Sequence, residues 1–158
     1  MVSQFDLSGR TVAISGAGGG IGAECARLVA EMGADVMVSD LRAPEPLADF
    51  LRGQGRASAA TALDVTDRGA VEAWAADCGD VDALIDCAAI CPFDDWDDDG
   101  WDDVAARVFN INLQGPINLC RAFMPGLLRR ADTQGTASIL VVSSMASSEK
   151  GFINRTAY

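Results

Sequence analysis

Short apolar runs alternate along this chain with segments whose apolar residues recur every three or four positions. Thr11–Ser15 (TVAIS) reads as a buried strand, and Ile21, Cys25, Leu28, Val29 and Met32 then follow at helical spacing. Asp35–Ser39 (DVMVS) predicts a second strand and Leu47–Leu51 a short helix. Ala57–Leu63 predicts a third strand, weak because it is poor in β-branched residues. Val71, Trp74 and Ala75 predict a helix starting near Asp67, and Val81–Ala88 a fourth strand. Val104, Val108, Ile111 and Leu119 outline one long helix reaching about Arg130, before a fifth strand at Ser138–Val142. Strands that are apolar throughout and alternate with helices imply a parallel sheet covered on both faces. Right-handed crossovers then make it a doubly wound α/β fold. No linker or repeat interrupts the rhythm, so residues 1–158 are expected to form one domain.

Charge and composition narrow the function. Twelve Lys and Arg stand against 23 Asp and Glu, a formal charge of −11. Nucleic acid and anionic membranes need clustered basic residues, so neither is expected as a partner. The chain has no histidine, which excludes Ser-His-Asp and Cys-His nucleophile systems and His-ligated zinc. The N-terminal stretch MVSQFDLSGR lacks a basic segment leading into an apolar one, and no apolar run is long enough to span a membrane. Five scattered cysteines, Cys25, Cys78, Cys87, Cys91 and Cys120, read as reduced thiols, and a cytoplasmic location is expected. The Cys87–Cys91 pair has no second pair to complete a Cys₄ site.

The first strand runs straight into Ser15-Gly16-Ala17-Gly18-Gly19-Gly20-Ile21-Gly22, and a helix follows. A strand, a tight turn and a helix N-terminus present backbone N–H groups and the positive end of the helix dipole to a pyrophosphate. In this arrangement Gly16 permits the turn, Gly20 permits close ligand approach, and Gly22 lets the helix pack near the sheet. The pattern is G-x-x-x-G-x-G and not G-x-G-x-x-G, since Ile21 stands where the latter needs glycine. The second strand ends at Asp40, 18 residues past Gly22. A carboxylate there accepts hydrogen bonds from the hydroxyls of an adenosine ribose and repels a 2′-phosphate. Two like charges about 4 Å apart cost about 4 kcal/mol at an effective dielectric near 20. The glycine turn holds no basic residue to offset this, so NAD is expected over NADP; Arg42 is read as solvated.

With these residues the chain resembles the short-chain dehydrogenase/reductase family, along essentially its whole length. Ser15–Gly22 is similar to the family's T-G-x-x-x-G-I-G turn. Leu63-Asp64-Val65 resembles the segment whose Asp contacts the adenine ring, and Asp86-Cys87-Ala88-Ala89 occupies the N-N-A-G position. Asn112, in Asn110-Ile111-Asn112-Leu113-Gln114-Gly115, resembles the family's helix asparagine. Val141-Val142-Ser143-Ser144 resembles the end of the fifth strand. The resemblance implies a Rossmann-like fold and a cofactor site made from Gly16, Gly18, Gly20, Ile21, Gly22, Asp40, Asp64, Val65, Cys87, Ala88, Ala89 and Tyr158. It implies hydride transfer between NAD and a small-molecule alcohol or carbonyl substrate. Ser144 would hold the substrate oxygen and Tyr158 would exchange the proton. It also implies a homo-oligomer in the full-length form. Pro116 cannot give an N–H to the Asn112 carbonyl four residues earlier, which frees that carbonyl; the resemblance implies that it holds a water in the family's proton relay, and an ordinary proline kink is the alternative.

Three departures stand out. Asp86 and Cys87 cannot reproduce the amide bonds of the family's asparagines, and Ala89 replaces a glycine. The interval from Ser144 to Tyr158 is 14 residues, about one more than the family's, which leaves Ser143 and Ser147 as alternatives. The sequence also ends at Tyr158, before the lysine that the resemblance implies four residues on and before the later strands. The chain is therefore expected to be the front part of a longer enzyme; a short form that binds NAD without efficient catalysis is the alternative. Finally, residues 94–103 hold seven aspartates, and Asp95, Asp97, Asp99 and Gly100 match the opening of an EF-hand loop. The loop's twelfth position is Ala106, where a bidentate Glu is needed, so an acidic lead into the next helix is the preferred reading and no metal is expected.

Overall fold

A computed structural model describes residues 5–93, 95 and 97–144. In order, the elements are β1 (Thr11–Ser15), α1 (Gly20–Glu31), β2 (Asp35–Asp40), α2 (Glu45–Gly53), β3 (Ser58–Ala62), α3 (Arg68–Cys78), β4 (Ala83–Asp86), α4 (Trp101–Phe109), α5 (Gly115–Gln134) and β5 (Ser138–Val141). All strands pair in parallel in the order β3-β2-β1-β4-β5. The chain builds outward from β1 to β3, then crosses back to place β4 on the other side of β1. That reversal opens a crevice at the carboxyl ends of β1 and β4.

Strand alternation divides the core between the two faces. Val12 and Ile14 of β1, with Val36 and Val38 of β2, pack against Ala23, Ala26 and Ala30 of α1 and Leu47 and Leu51 of α2. Ala13 and Leu84 face the other way, onto Val71 and Trp74 of α3 and Leu119, Phe123 and Leu127 of α5. There the Trp74 and Phe123 rings meet edge to face, with centroids 5.0 Å apart. The small residues along α1 allow it to lie close over β1 and β2. Asp67 caps α3 by accepting the Ala70 N–H at 3.1 Å.

The fourth strand conceals an ionic centre. Asp82, just ahead of β4, is 7% exposed. Its Oδ1 accepts from Arg10 Nη1 at 2.7 Å, and its Oδ2 from Arg130 Nη2 at 2.6 Å and the Thr11 N–H at 2.9 Å. One carboxylate thus joins the start of β1 to the end of α5. Burial raises its pKa, but the bonds from Arg130, Arg10 and Thr11 outweigh burial and leave it below the usual carboxylate value.

The single long helix expected between Val104 and Arg130 is divided. Between α4 and α5, residues Asn110–Gln114 form a π-helical turn, in which the Gly115 N–H donates to the Asn110 carbonyl. Pro116 explains the location: without an N–H it cannot continue the i→i−4 ladder to Asn112, and the backbone absorbs an extra residue just before it. Among the described residues β5 is an outer strand, with Leu140 and Val141 half-exposed. No described helix is long and apolar enough to cross a membrane.

Candidate cofactor site

A cavity of about 440 Å³ occupies the crevice where the strand order reverses. Its floor is the turn from Gly16 through Gly22, and its walls are Ser39–Leu41 after β2, Leu63–Val65 after β3, Cys87–Ile90 after β4, and Ile111 from the π turn. Four segments distant in sequence meet here because the parallel sheet puts the carboxyl ends of β1, β2, β3 and β4 on one edge.

The glycines hold the floor in distinct ways. Gly16 has φ +67°, and a Cβ there would come within 2.5 Å of the Ala88 nitrogen and the Cys87 carbonyl carbon. Its bare backbone is what lets the segment after β4 lie on the turn. A Cβ on Gly22 would meet the Gly16 carbonyl oxygen at 2.2 Å, so Gly22 packs against the turn itself and not against the sheet. Gly20 (φ +51°) has nothing within 4 Å of such a Cβ and opens onto the cavity. Helix α1 starts here with no side-chain cap and no acidic residue in its first turn. Its first N–H groups therefore have neither intrahelical nor side-chain partners among the described residues.

Gly18 is the one expected cofactor residue among those described that does not line the cavity. It seats Asp40: its N–H donates to Asp40 Oδ2 at 2.9 Å, and a Cβ at this position would come within 2.9 Å of the carboxyl carbon. The Leu41 N–H donates to Asp40 Oδ1 at 2.7 Å. The carboxylate is thus aimed from two sides at the cavity rim. Beside it Ser39 is fully buried in the wall, and its Oγ has no partner among the described residues. On the next wall, Asp64 Oδ1 accepts from the Thr66 N–H and Oγ1, closing a tight turn after β3.

The Asp86-Cys87-Ala88-Ala89 segment keeps a strand-joining role by different bonds. Asp86 is 2% exposed; its Oδ1 accepts from Ser15 Oγ at 2.6 Å and from the Ala88 N–H at 3.0 Å, tying β1 to β4. Burial raises its pKa against the opposing pull of those two bonds. Cys87 lines the cavity, with its sulfur beside the Cys25 thiol, and burial pushes it up to about 11. It is a protonated thiol at neutral pH. Ala89 stands in the cavity wall without closing it.

The Asp86 environment carries a pH prediction. A buried acid with a raised pKa favours its neutral form in the fold, so native stability falls as pH rises from about 4, the unfolded value, through the folded one. Asp86→Asn keeps the acceptor for Ser15 and Ala88 but removes the charge. Thermal unfolding should show little difference from the parent at pH 4, and a gain in Tm that grows as pH rises through the raised folded pKa and then levels off. A gain that does not change with pH would contradict this account of Asp86.

Asn112 makes a two-point contact with Ile90: its Oδ1 accepts the Ile90 N–H at 2.9 Å, and its Nδ2 donates to the Ile90 carbonyl at 2.8 Å. Its side chain therefore clamps the wall after β4, while Pro116 offers its carbonyl no N–H. Ser144 lies three residues past β5, half-buried, and Ser143 is exposed. Tyr158 and Ser147 lie outside the described residues, as do Asp94 and Trp96 of the acidic stretch. Within that stretch, Asp98 Oδ2 accepts the Asp95 N–H at 2.9 Å, and Gly100 precedes α4, whose first turn carries Asp102 and Asp103.

Sequence reasoning missed Gly19, Ser39, Leu41, Leu63, Ile90 and Ile111 in the cavity lining. The apolar ones carry no signal that separates a cavity wall from a core. Leu41 is the exception: a large apolar residue directly after a strand-end carboxylate, and 70% exposed.

A parallel doubly wound sheet, with a glycine-rich strand–turn–helix opening on the crevice at its reversal, defines the Rossmann-like class of α/β protein. Residues 10–158 match the sequence profile of the short chain dehydrogenase family, and the chain belongs to that family. It is 37% identical over 155 residues to a 2-keto-3-deoxy-L-fuconate dehydrogenase from Xanthomonas campestris pv. campestris, covering 96% of this chain and 48% of the relative. It is 32% identical to the oxidoreductase UcpA of Salmonella typhimurium, covering 96% and 58%. A 7α-hydroxysteroid dehydrogenase solved with NADH and 7-oxo glycochenodeoxycholic acid superposes with a TM-score of 0.83 at 30% identity, covering 97% and 60%. The chain thus spans about half of the curated relatives it matches.

Proposed function

We propose that this chain supplies the cofactor-binding part of an oxidoreductase that takes NAD and interconverts a secondary alcohol and its ketone. The observation that carries the reading is the cavity at the sheet reversal, with the uncapped start of α1 on its floor and Asp40 on its rim. The residues present suit a dinucleotide. Backbone N–H groups at Gly19–Gly22 suit its pyrophosphate. The Asp40 carboxylate suits a ribose diol. The orphan Ser39 Oγ and the apolar walls suit the remainder. No basic residue lines the cavity among the described residues, which favours NAD over NADP.

When bound, the nicotinamide supplies or accepts the hydride. In this reading Ser144 hydrogen-bonds the substrate oxygen, on which negative charge develops as the carbonyl forms or is consumed. Tyr158 takes the hydroxyl proton in oxidation and returns it in reduction. A phenol ordinarily ionises near pH 10, so this role needs positive neighbours. The Asn112 carbonyl, freed by Pro116, holds a water on the proton path. The relative solved with NADH and a 7-oxo compound supports the assignment of both cofactor and carbonyl class. Copies are proposed to associate through the exposed apolar residues Phe109, Leu113 and Leu128 on α4, the π turn and α5, and the protein to act in the cytoplasm.

The experiment is Tyr158→Phe in the complete protein, assayed by NADH-dependent ketone reduction and by NADH fluorescence titration. Turnover should fall at least about 100-fold, the scale of general acid catalysis, with NADH affinity within about threefold of the parent. Retained turnover would remove Tyr158 from the chemistry.

A further inference from the structure

We propose that Asn118 is a positioning residue for the base end of the cofactor: its buried side-chain amide, reaching up from α5, holds the Leu63–Val65 wall of the cavity in place. This rests on the dinucleotide reading above and goes beyond it by naming what fixes the slot next to Asp40. On that side the cavity is bounded by Leu41, Leu63, Val65 and Ile111. An apolar slot adjoining a ribose-binding carboxylate suits a flat heteroaromatic base, and its value depends on its width.

Among the described residues that wall leaves an outer strand, β3, which has a neighbouring strand on one side only. The Leu63 N–H donates to the Asp40 carbonyl at 2.8 Å, the last strand-type bond. Beyond it the bonds are internal to the turn: Thr66 to Asp64, and the Asp67 N–H to the Asp64 carbonyl at 3.0 Å. Such bonds shape a turn without fixing it to the body of the protein. Asn118 supplies the fixing. Its Nδ2 donates to the Val65 carbonyl at 3.0 Å and stands 3.5 Å from that of Thr66. Gln114 Nε2 donates to Asn118 Oδ1 at 2.9 Å, which turns the amide so that its nitrogen faces the wall. Asn118 is 5% exposed, so water cannot readily take over these bonds. Below the wall, Gly115 lets the Val65 side chain settle on the start of α5; a Cβ there would lie 2.7 Å from Val65 Cγ2.

The test uses ADP-ribose as probe, titrated by calorimetry against the parent protein, Asn118→Leu and Gln114→Met, with hydrogen exchange followed over residues 63–67. Asn118→Leu keeps the branched outline of the side chain and removes the donor. It should weaken ADP-ribose about tenfold and speed exchange in residues 63–67. Gln114→Met removes the bond that orients the Asn118 amide and should weaken ADP-ribose in the same direction but less, by about threefold. If Asn118→Leu does not fold, Asn118→Ser, shorter and still polar, takes its place with the same expectation. A folded Asn118 variant that binds ADP-ribose within twofold of the parent overturns the proposal, as does weakened binding with unchanged exchange at 63–67. A parent protein that takes no ADP-ribose would instead overturn the dinucleotide reading itself, before any variant is compared.

Discussion

Asp40→Ser is expected to remove most of a preference of about 100-fold for NAD over NADP, measured as the ratio of dissociation constants. Asp40 is held at the cavity rim by the Gly18 and Leu41 N–H groups, so the carboxylate cannot swing away from an incoming phosphate without giving up both bonds. Among the described residues no lysine or arginine lines the cavity to compensate. A full like-charge contact at about 4 Å corresponds to about 4 kcal/mol at an effective dielectric near 20, roughly a thousandfold. Partial exposure at the rim and ordinary salt reduce this to about 100-fold. Serine removes the charge but also the carboxylate acceptor for the ribose 3′-hydroxyl that both ligands carry, so NADP affinity should rise by about tenfold net. It should also weaken NAD by about tenfold, because hydrogen bonds to a charged group contribute about 1.5–3 kcal/mol and the hydroxyl replaces them incompletely. A variant whose preference matches the parent's would mean that Asp40 does not read the ribose.

The second large effect concerns stability. Asp82→Ala is expected to cost about 3 kcal/mol, read as a fall in Tm of roughly 6–12 °C for a chain of this size. The change leaves Arg10, Arg130 and the Thr11 N–H without their shared acceptor at the base of the sheet. Breaking a buried ion pair from one side ordinarily costs about 3–5 kcal/mol; the lower end applies because both guanidinium groups reach solvent in part. The pH dependence has a definite sign. The folded carboxylate titrates below its ordinary value, so its stabilisation is complete above about pH 4 and is lost as pH falls through the depressed folded pKa. The gap in Tm between parent and Asp82→Ala should therefore narrow in acid. Equal Tm values at neutral pH would show that the triad contributes nothing net.

These two aspartates mark how far the sequence could be read. Asp40 was legible because a strand end fixes its position: the side chain can only emerge at the sheet edge above the glycine turn. The turn itself was legible for a similar reason, since positive φ at Gly16 and Gly20 and the close backbone contacts of Gly16 and Gly22 leave room for glycine alone. Asp82 was not legible. It sits inside an apolar run that reads as plain strand, and its partners are 72 and 48 residues away. The division of the long helix was hidden as well. Val104, Val108, Ile111 and Leu119 keep a helical rhythm through the π turn, because one inserted residue rotates the apolar stripe without breaking it. Leu63 and Ile111 face the cavity yet look like core residues, and Asn118 looks like a polar defect in a helix until Val65, 53 residues earlier, is seen beside it. Local geometry writes itself into nearby residues, whereas a cavity wall or a tether depends on contacts that only the folded sheet creates.

The crevice at the sheet reversal is expected to be a site for a dinucleotide without a 2′-phosphate. The most direct measurement is a calorimetric titration of the protein with ADP-ribose and, separately, with 2′-phospho-ADP-ribose. Saturable binding of ADP-ribose at one site per chain, with the phosphorylated ligand about 100-fold weaker, is the predicted result. Absence of binding by ADP-ribose, or tighter binding of the phosphorylated ligand, would contradict it.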